Sequence, residues 1–150
     1  MATVTIQTAV ANAAASEEEA ARFYRFLAEN NDDPETKAFF QEMENAEIEH
    51  ARSIREQGKQ LGADTKKLSP DGKVELVETA PGWREAEGLT YAEALEVALE
   101  AENHAALYYD ALSDFATGKT KEFFLTLART EEQHAERILA LQEKLSETEG

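Results

Sequence analysis

One motif occurs twice in the same register, and it commits the chain to helices that carry charge on their inner faces. Thr36-Lys37-x-Phe39-Phe40 leads into Glu47-x-x-His50-Ala51, and Thr120-Lys121-x-Phe123-Phe124 leads into Glu131-x-x-His134-Ala135. Matched positions lie 84 residues apart throughout, as from His50 to His134. On a helix, a Glu and a His three apart sit one turn above each other on one face, whereas on a strand they would point to opposite sides. Two of the chain's three histidines occupy this motif.

The apolar positions keep the helical period over four long segments. Ile6, Val10, Ala13, Glu17, Ala20, Tyr24 and Leu27 alternate by threes and fours in the first segment. Phe40, Met43, Glu47, His50, Ile54 and Leu61 do so in the second, and Phe124, Leu127, Glu131, His134, Ile138, Leu141 and Leu145 in the fourth. The third stripe is looser and is read from Val97, Glu100, Leu107, Ala111 and Asp114/Phe115. Every stripe is interrupted near its middle by a Glu, or by a Glu and a His.

Boundary residues agree. Asp33-Pro34 is an N-cap followed by proline in the first turn, and Thr90-x-x-Glu93 is a capping box. Gly62 and Gly118 are stop signals for the second and third helices. Ser16-x-x-Glu19 also resembles a capping box, but the stripe runs unbroken from Ile6, so the first helix starts there. The connections are short, long and short. The long one, 62–89, holds Pro70, Gly72, Pro81, Gly82, Trp83 and Gly88 and joins two helical hairpins as a crossover. Within it Lys73–Val77 alternates like a strand; with no partner strand in sight, it is expected to be an extended strap.

Residues 1–150 are thus expected to form one all-α domain, an antiparallel four-helix bundle with one long crossover between helices two and three. The chain has no cysteine, which excludes disulfides, thiolate sites and iron–sulfur centres. A net charge of −16 argues against nucleic acid and anionic membranes, and no segment is apolar enough to span a bilayer. The opening MATVTIQTAVANAAAS lacks a basic leader region and its middle is broken by Thr, Gln and Asn, so a cytoplasmic protein is expected.

Glu17 and Glu47 lie 15 residues to either side of the turn near Asp32, and Glu100 and Glu131 flank the turn at 116–119. All four carboxylates should therefore reach one level of the bundle. Glu17 is preferred to Glu18 and Glu19, and Glu100 to Glu96 and Glu102, because each shares a face with its apolar stripe. Four buried carboxylates would each carry a desolvation penalty of several kcal/mol and would repel one another. Two divalent cations held by Glu17, Glu47, His50, Glu100, Glu131 and His134 would remove that conflict. Oxygen and nitrogen ligands without sulfur suit iron, manganese or zinc. Asn103 and His104, three and four residues past Glu100, are candidates to complete the site, with His104 more naturally beside it. Tyr24 and Tyr108, about two turns from Glu17 and Glu100, are candidates to hydrogen-bond the opposing carboxylates.

At this point the chain resembles the ferritin-like di-iron superfamily, and above all the rubrerythrins. The resemblance covers residues 5–60 and 90–145: Glu17 seven before Tyr24, Glu47-x-x-His50, Glu100 eight before Tyr108, and Glu131-x-x-His134 follow the family's ligand order. It implies a buried centre of two iron ions, a homodimer, and reduction of hydrogen peroxide or, as in related ferritins, oxidation of Fe(II) by O2. Glu47 and Glu131 would bridge or ligate the irons, Glu17 and Glu100 would be terminal or bridging, and each His would hold one iron. Two departures stand out. There is no cysteine-bearing rubredoxin module, so electrons must come from an external donor. Asn103 stands where rubrerythrins carry a further Glu. Hence a peroxide-reducing oxidoreductase is expected first, a ferroxidase second, and a metal-bound bundle without turnover third.

Overall fold

The computed structural model describes residues 2–59, 73–76 and 81–149. Four helices make the body of the molecule: α1 (Ile6–Glu29), α2 (Pro34–Gly58), α3 (Tyr91–Ser113) and α4 (Gly118–Glu149). α1 packs along α2 and α3 along α4, giving the antiparallel four-helix bundle that the apolar periods predict. The caps fall where expected. Asp33 accepts from the Thr36 backbone N–H with Pro34 in the first turn, and Thr90 and Glu93 close a reciprocal capping box. α1 begins at Ile6, not at the Ser16 box. Gly118 opens α4 at a φ of 57°, a left-handed turn residue between α3 and α4. α2 ends at Gly58, and the predicted stop at Gly62 lies outside the described residues.

One expectation is corrected. Lys73–Leu76 (β2) is not a lone strap, because it pairs antiparallel with Ala2–Thr5 (β1), from Ala2 opposite Leu76 to Thr5 opposite Lys73. Strand β1 runs directly into α1, so the ribbon ties the crossover to the start of the bundle. The later part of the crossover is tied to α1 as well: Ser16 Oγ donates to the Pro81 carbonyl at 2.8 Å, and the Trp83 N–H donates to Glu19 Oε2 at 3.3 Å.

The core divides into two clusters. One gathers Ala9, Ala13, Ala14, Ala105, Tyr109, Leu112, Phe124 and Ala128; the other gathers Phe23, Tyr24, Phe40, Met43, Leu95, Ala98 and Ile138. Carboxylates and histidines lie between them. Among the described residues no helix is long and apolar enough to cross a membrane.

Candidate metal centre

Each helix contributes one carboxylate to the middle of the bundle, because each places it on the heptad-like face that otherwise carries core residues. Glu17, Glu47, Glu102 and Glu131 are 3%, 1%, 0% and 1% exposed, which is burial no ordinary acidic surface shows. α2 and α4 each add a histidine one turn on. His50 Nδ1 lies 3.1 Å from Glu131 Oε1, 3.5 Å from Glu17 Oε2 and 4.0 Å from Glu47 Oε1. His134 Nδ1 lies 2.9 Å from Glu47 Oε1, 3.4 Å from Glu102 Oε2 and 3.8 Å from Glu131 Oε2. The two imidazoles lie nearly parallel, 5.6 Å apart. The repeated motif has become an approximate two-fold in space.

Two tyrosines complete this symmetry. Tyr24 Oη donates to Glu102 Oε1 at 2.9 Å, and Tyr109 Oη donates to Glu17 Oε1 at 2.6 Å. Each phenol thus crosses from one hairpin to the other, fixes one carboxylate oxygen and leaves the second facing the middle.

The third helix differs from the sequence reading. Glu100 is exposed, and Glu102 takes the inward place. Asn103 is exposed, and His104 belongs to neither cluster of candidate ligands; it lines a separate cleft with Glu100, Pro81 and Arg84. Tyr108 does not reach a carboxylate but donates to the Ala9 carbonyl at 2.7 Å, and Tyr109 holds the place foreseen for it. Leu107, used to phase the stripe, is 57% exposed. The physical cause is that α3 buries alanines: Leu95, Ala98, Glu102, Ala105, Tyr109 and Leu112 form its true inner stripe. A signal for this was present. Glu102 precedes Tyr109 by seven residues, as Glu17 precedes Tyr24, and both pairs are displaced by the same 85 residues.

The donor chemistry fits a pair of cations. Glu17 Oε2, Glu47 Oε1, Glu102 Oε2, Glu131 Oε1 and both histidine Nδ1 atoms are buried yet make no hydrogen bond. Orphaned polar atoms in an apolar interior are costly, and six turned toward one small space call for a shared partner. They resolve into two overlapping groups: Glu17, Glu47, His50 and Glu131, and Glu47, Glu102, Glu131 and His134, with all ligand atoms of a group within 4.8 Å. Without cations the charges conflict. Burial, then the neighbouring charges of Glu17 and Glu102, pushes Glu47 well above the usual carboxylate range. Burial and the charges of Glu102, Glu17 and Glu47 do the same to Glu131. Burial also raises Glu17, but the approach of Glu47, His50 and Tyr109 outweighs it and leaves that carboxyl lowered. Burial and the facing carboxylates hold both tyrosines well above their ordinary range, so they remain hydrogen-bond donors.

A rubrerythrin profile matches residues 9–90 and 93–150. The chain belongs to the rubrerythrin family. Solved structures share its fold, two of them over nearly the whole chain. One is described as a ferritin-like diiron-carboxylate protein from Thermotoga maritima, with a TM-score of 0.77 and 22% identity over 95% of this chain and 97% of that one. The other is a hypothetical protein from Pyrococcus furiosus, with a TM-score of 0.78 and 21% identity over 95% of this chain and 91% of that one. No curated protein matches the sequence. The fold is accordingly the ferritin-like bundle expected for this rubrerythrin relative.

Proposed function

We propose that the cluster holds two iron ions and that the protein reduces hydrogen peroxide with electrons from an external donor. The convergence of six unbonded, buried donor atoms on one space carries this reading. Glu47 and Glu131 occur in both ligand groups and would bridge; Glu17 with His50 and Glu102 with His134 would each complete one ion. Manganese and zinc would suit the same donors, but iron supplies both the Lewis acidity and the electrons that peroxide reduction needs. The chain's own part is to hold six donors rigidly and to exclude water. Tyr24 and Tyr109 fix the outer oxygens of Glu102 and Glu17, which pre-organises the carboxylates from opposite hairpins. His50, with a side chain 16% exposed against 8% for His134, marks the flank where a small oxidant reaches the site.

One observation favours a second reading. Three residues beyond Glu102 stands Ala105, so the extra Glu of rubrerythrins is missing in the corrected register too. Six protein ligands on a strongly acidic chain suit Fe(II) oxidation by O2. Stopped-flow oxidation of the anaerobic Fe(II)-loaded protein separates the two. Faster reaction with hydrogen peroxide supports the first reading, faster reaction with O2 supports the second, and reaction with neither leaves a metal-bound bundle without turnover. On a sizing column a homodimer is the expected species, and a shell-sized assembly would point to iron storage.

A further inference from the structure

Among the described residues, a chain of aromatic groups connects the surface to one side of the cluster only. Trp83, in the last part of the crossover, is half-buried, and its backbone N–H donates to Glu19 on α1. Its ring lies 5.1 Å from Phe23 and 5.5 Å from Tyr24, edge-on to the latter. Tyr24 is fully buried, and its hydroxyl ends on Glu102 at 2.9 Å. The path thus runs from indole to phenol to a candidate metal ligand through one van der Waals contact and one hydrogen bond. On the opposite side Tyr109 meets Tyr108 at 6.0 Å, and Tyr108 is itself only 2% exposed. Both tyrosines hold a carboxylate, but only Tyr24 has a ring behind it that reaches the outside.

We propose that Trp83 and Tyr24 carry electrons from a one-electron redox protein docked at the surface to the buried cluster. The proposal rests on the reading of that cluster as a redox metal centre. The outer end of the route lies in a groove of about 420 Å³ between α1 and the crossover, whose lining combines Phe23, Phe26, Trp83, Arg22 and Arg84 with three glutamates, Glu19 among them. Aromatic residues and arginine are the side chains that protein partners favour as contacts. In each passage one electron leaves the donor protein, which ends oxidised by one electron. That electron tunnels to the site through the Trp83 ring, the Tyr24 ring and the hydrogen bond to Glu102, with neither side chain left oxidised and the Tyr24 proton staying in place. Peroxide takes two electrons and two protons to give two waters, so the route serves twice per turnover and both side chains end unchanged.

Metal-free protein tests the connection without metal chemistry. Trp83 is the only tryptophan in the chain, so flash oxidation with ruthenium tris-bipyridine and a sacrificial acceptor yields one identifiable tryptophanyl radical. In the wild type that radical decays as a tyrosyl signal rises. Tyr24→Phe keeps the ring in place, removes the tyrosyl signal and lengthens the tryptophanyl lifetime about tenfold, whereas Tyr109→Phe leaves the decay as in the wild type. Equal lifetimes in Tyr24→Phe and the wild type, with peroxide still oxidising the Fe(II)-loaded protein, would overturn the route and spare the functional reading. Rapid radical transfer in a protein whose iron-loaded form is inert to peroxide would instead remove the centre that the route serves, and the proposal would fall with the functional reading.

Discussion

At one end of the carboxylate cluster Tyr24 sits among Phe23, Phe40 and Trp83; at the other, Tyr109 shares its cluster with Tyr108 and Phe124 and with the small side chains of Ala9, Ala13, Ala105 and Ala128. The ligand sets between these ends are close copies, yet their surroundings are not. The aromatic end fills space with rings, Phe40 lying 6.1 Å from Tyr24 and 6.2 Å from Tyr91. At the alanine end a phenol reaches the main chain instead, Tyr108 donating to the Ala9 carbonyl across the bundle at 2.7 Å. A duplicated site therefore does not require duplicated packing. What both ends must preserve is the direction of one carboxylate per helix and one phenol per hairpin.

The largest effects should come from breaking the shared middle. Glu47 belongs to both ligand groups and Glu17 to one. Glu47→Ala should therefore lose both metals, and Glu17→Ala about one, by elemental analysis of protein reconstituted with Fe(II). Equal stoichiometry in the two variants would refute the bridging role of Glu47. Next come the ends themselves. Phe40 and Phe124 are counterparts in the repeat, and neither is exposed. Truncating either to Ala should destabilise the metal-free protein by about 3–5 kcal/mol in urea denaturation. Only Phe40→Ala should also weaken metal binding, because the Phe40 ring stacks on the tyrosine that fixes Glu102.

Much of this was legible in the sequence, for physical reasons that also explain the misses. Caps at Asp33 and Thr90 are local chemistry, and the steps of three and four on α1, α2 and α4 read directly as faces. α3 is apolar around much of its circumference. A face judged from large residues followed exposed Leu107 and chose Glu100, while small alanines marked the buried side that carries Glu102. The pairing of β1 with β2 joins residues some 70 apart in sequence, and nothing local to Lys73–Leu76 names its partner.

Charge sharpens the comparison in another direction. Glu47 and Glu131 are raised in the folded, metal-free protein, so above the ordinary carboxylate value of 4.5 the native state holds protons that the unfolded chain has released. The unfolded state then binds fewer protons, and stability falls as pH rises. Glu17, which is lowered, works oppositely: its contribution is present above that value and is lost on acidification. Two raised groups against one lowered group give a metal-free protein that melts at lower temperature as pH climbs from about 5 toward neutrality. Glu47→Gln should flatten that slope in calorimetry, and an unchanged slope would remove the cluster as its source.

The smallest effect tests the alanine end by geometry alone. A Cβ built on Gly58, at the end of α2, would stand 3.3 Å from Val10 Cγ1 on α1. In an open helix Gly→Ala gains up to about 1 kcal/mol. Here the new methyl group meets a β-branched side chain with few rotamers to escape into, so most of that gain should be offset. Gly58→Ala alone should therefore fall within about 0.5 kcal/mol of the wild type. Adding it to a Val10→Ala background removes the contact and should release the gain, giving a favourable coupling of about 0.5 kcal/mol or more in a double-mutant cycle. Additivity across that cycle would mean that α1 and α2 can move apart here without strain, and that the alanine end is held less closely than its contacts imply.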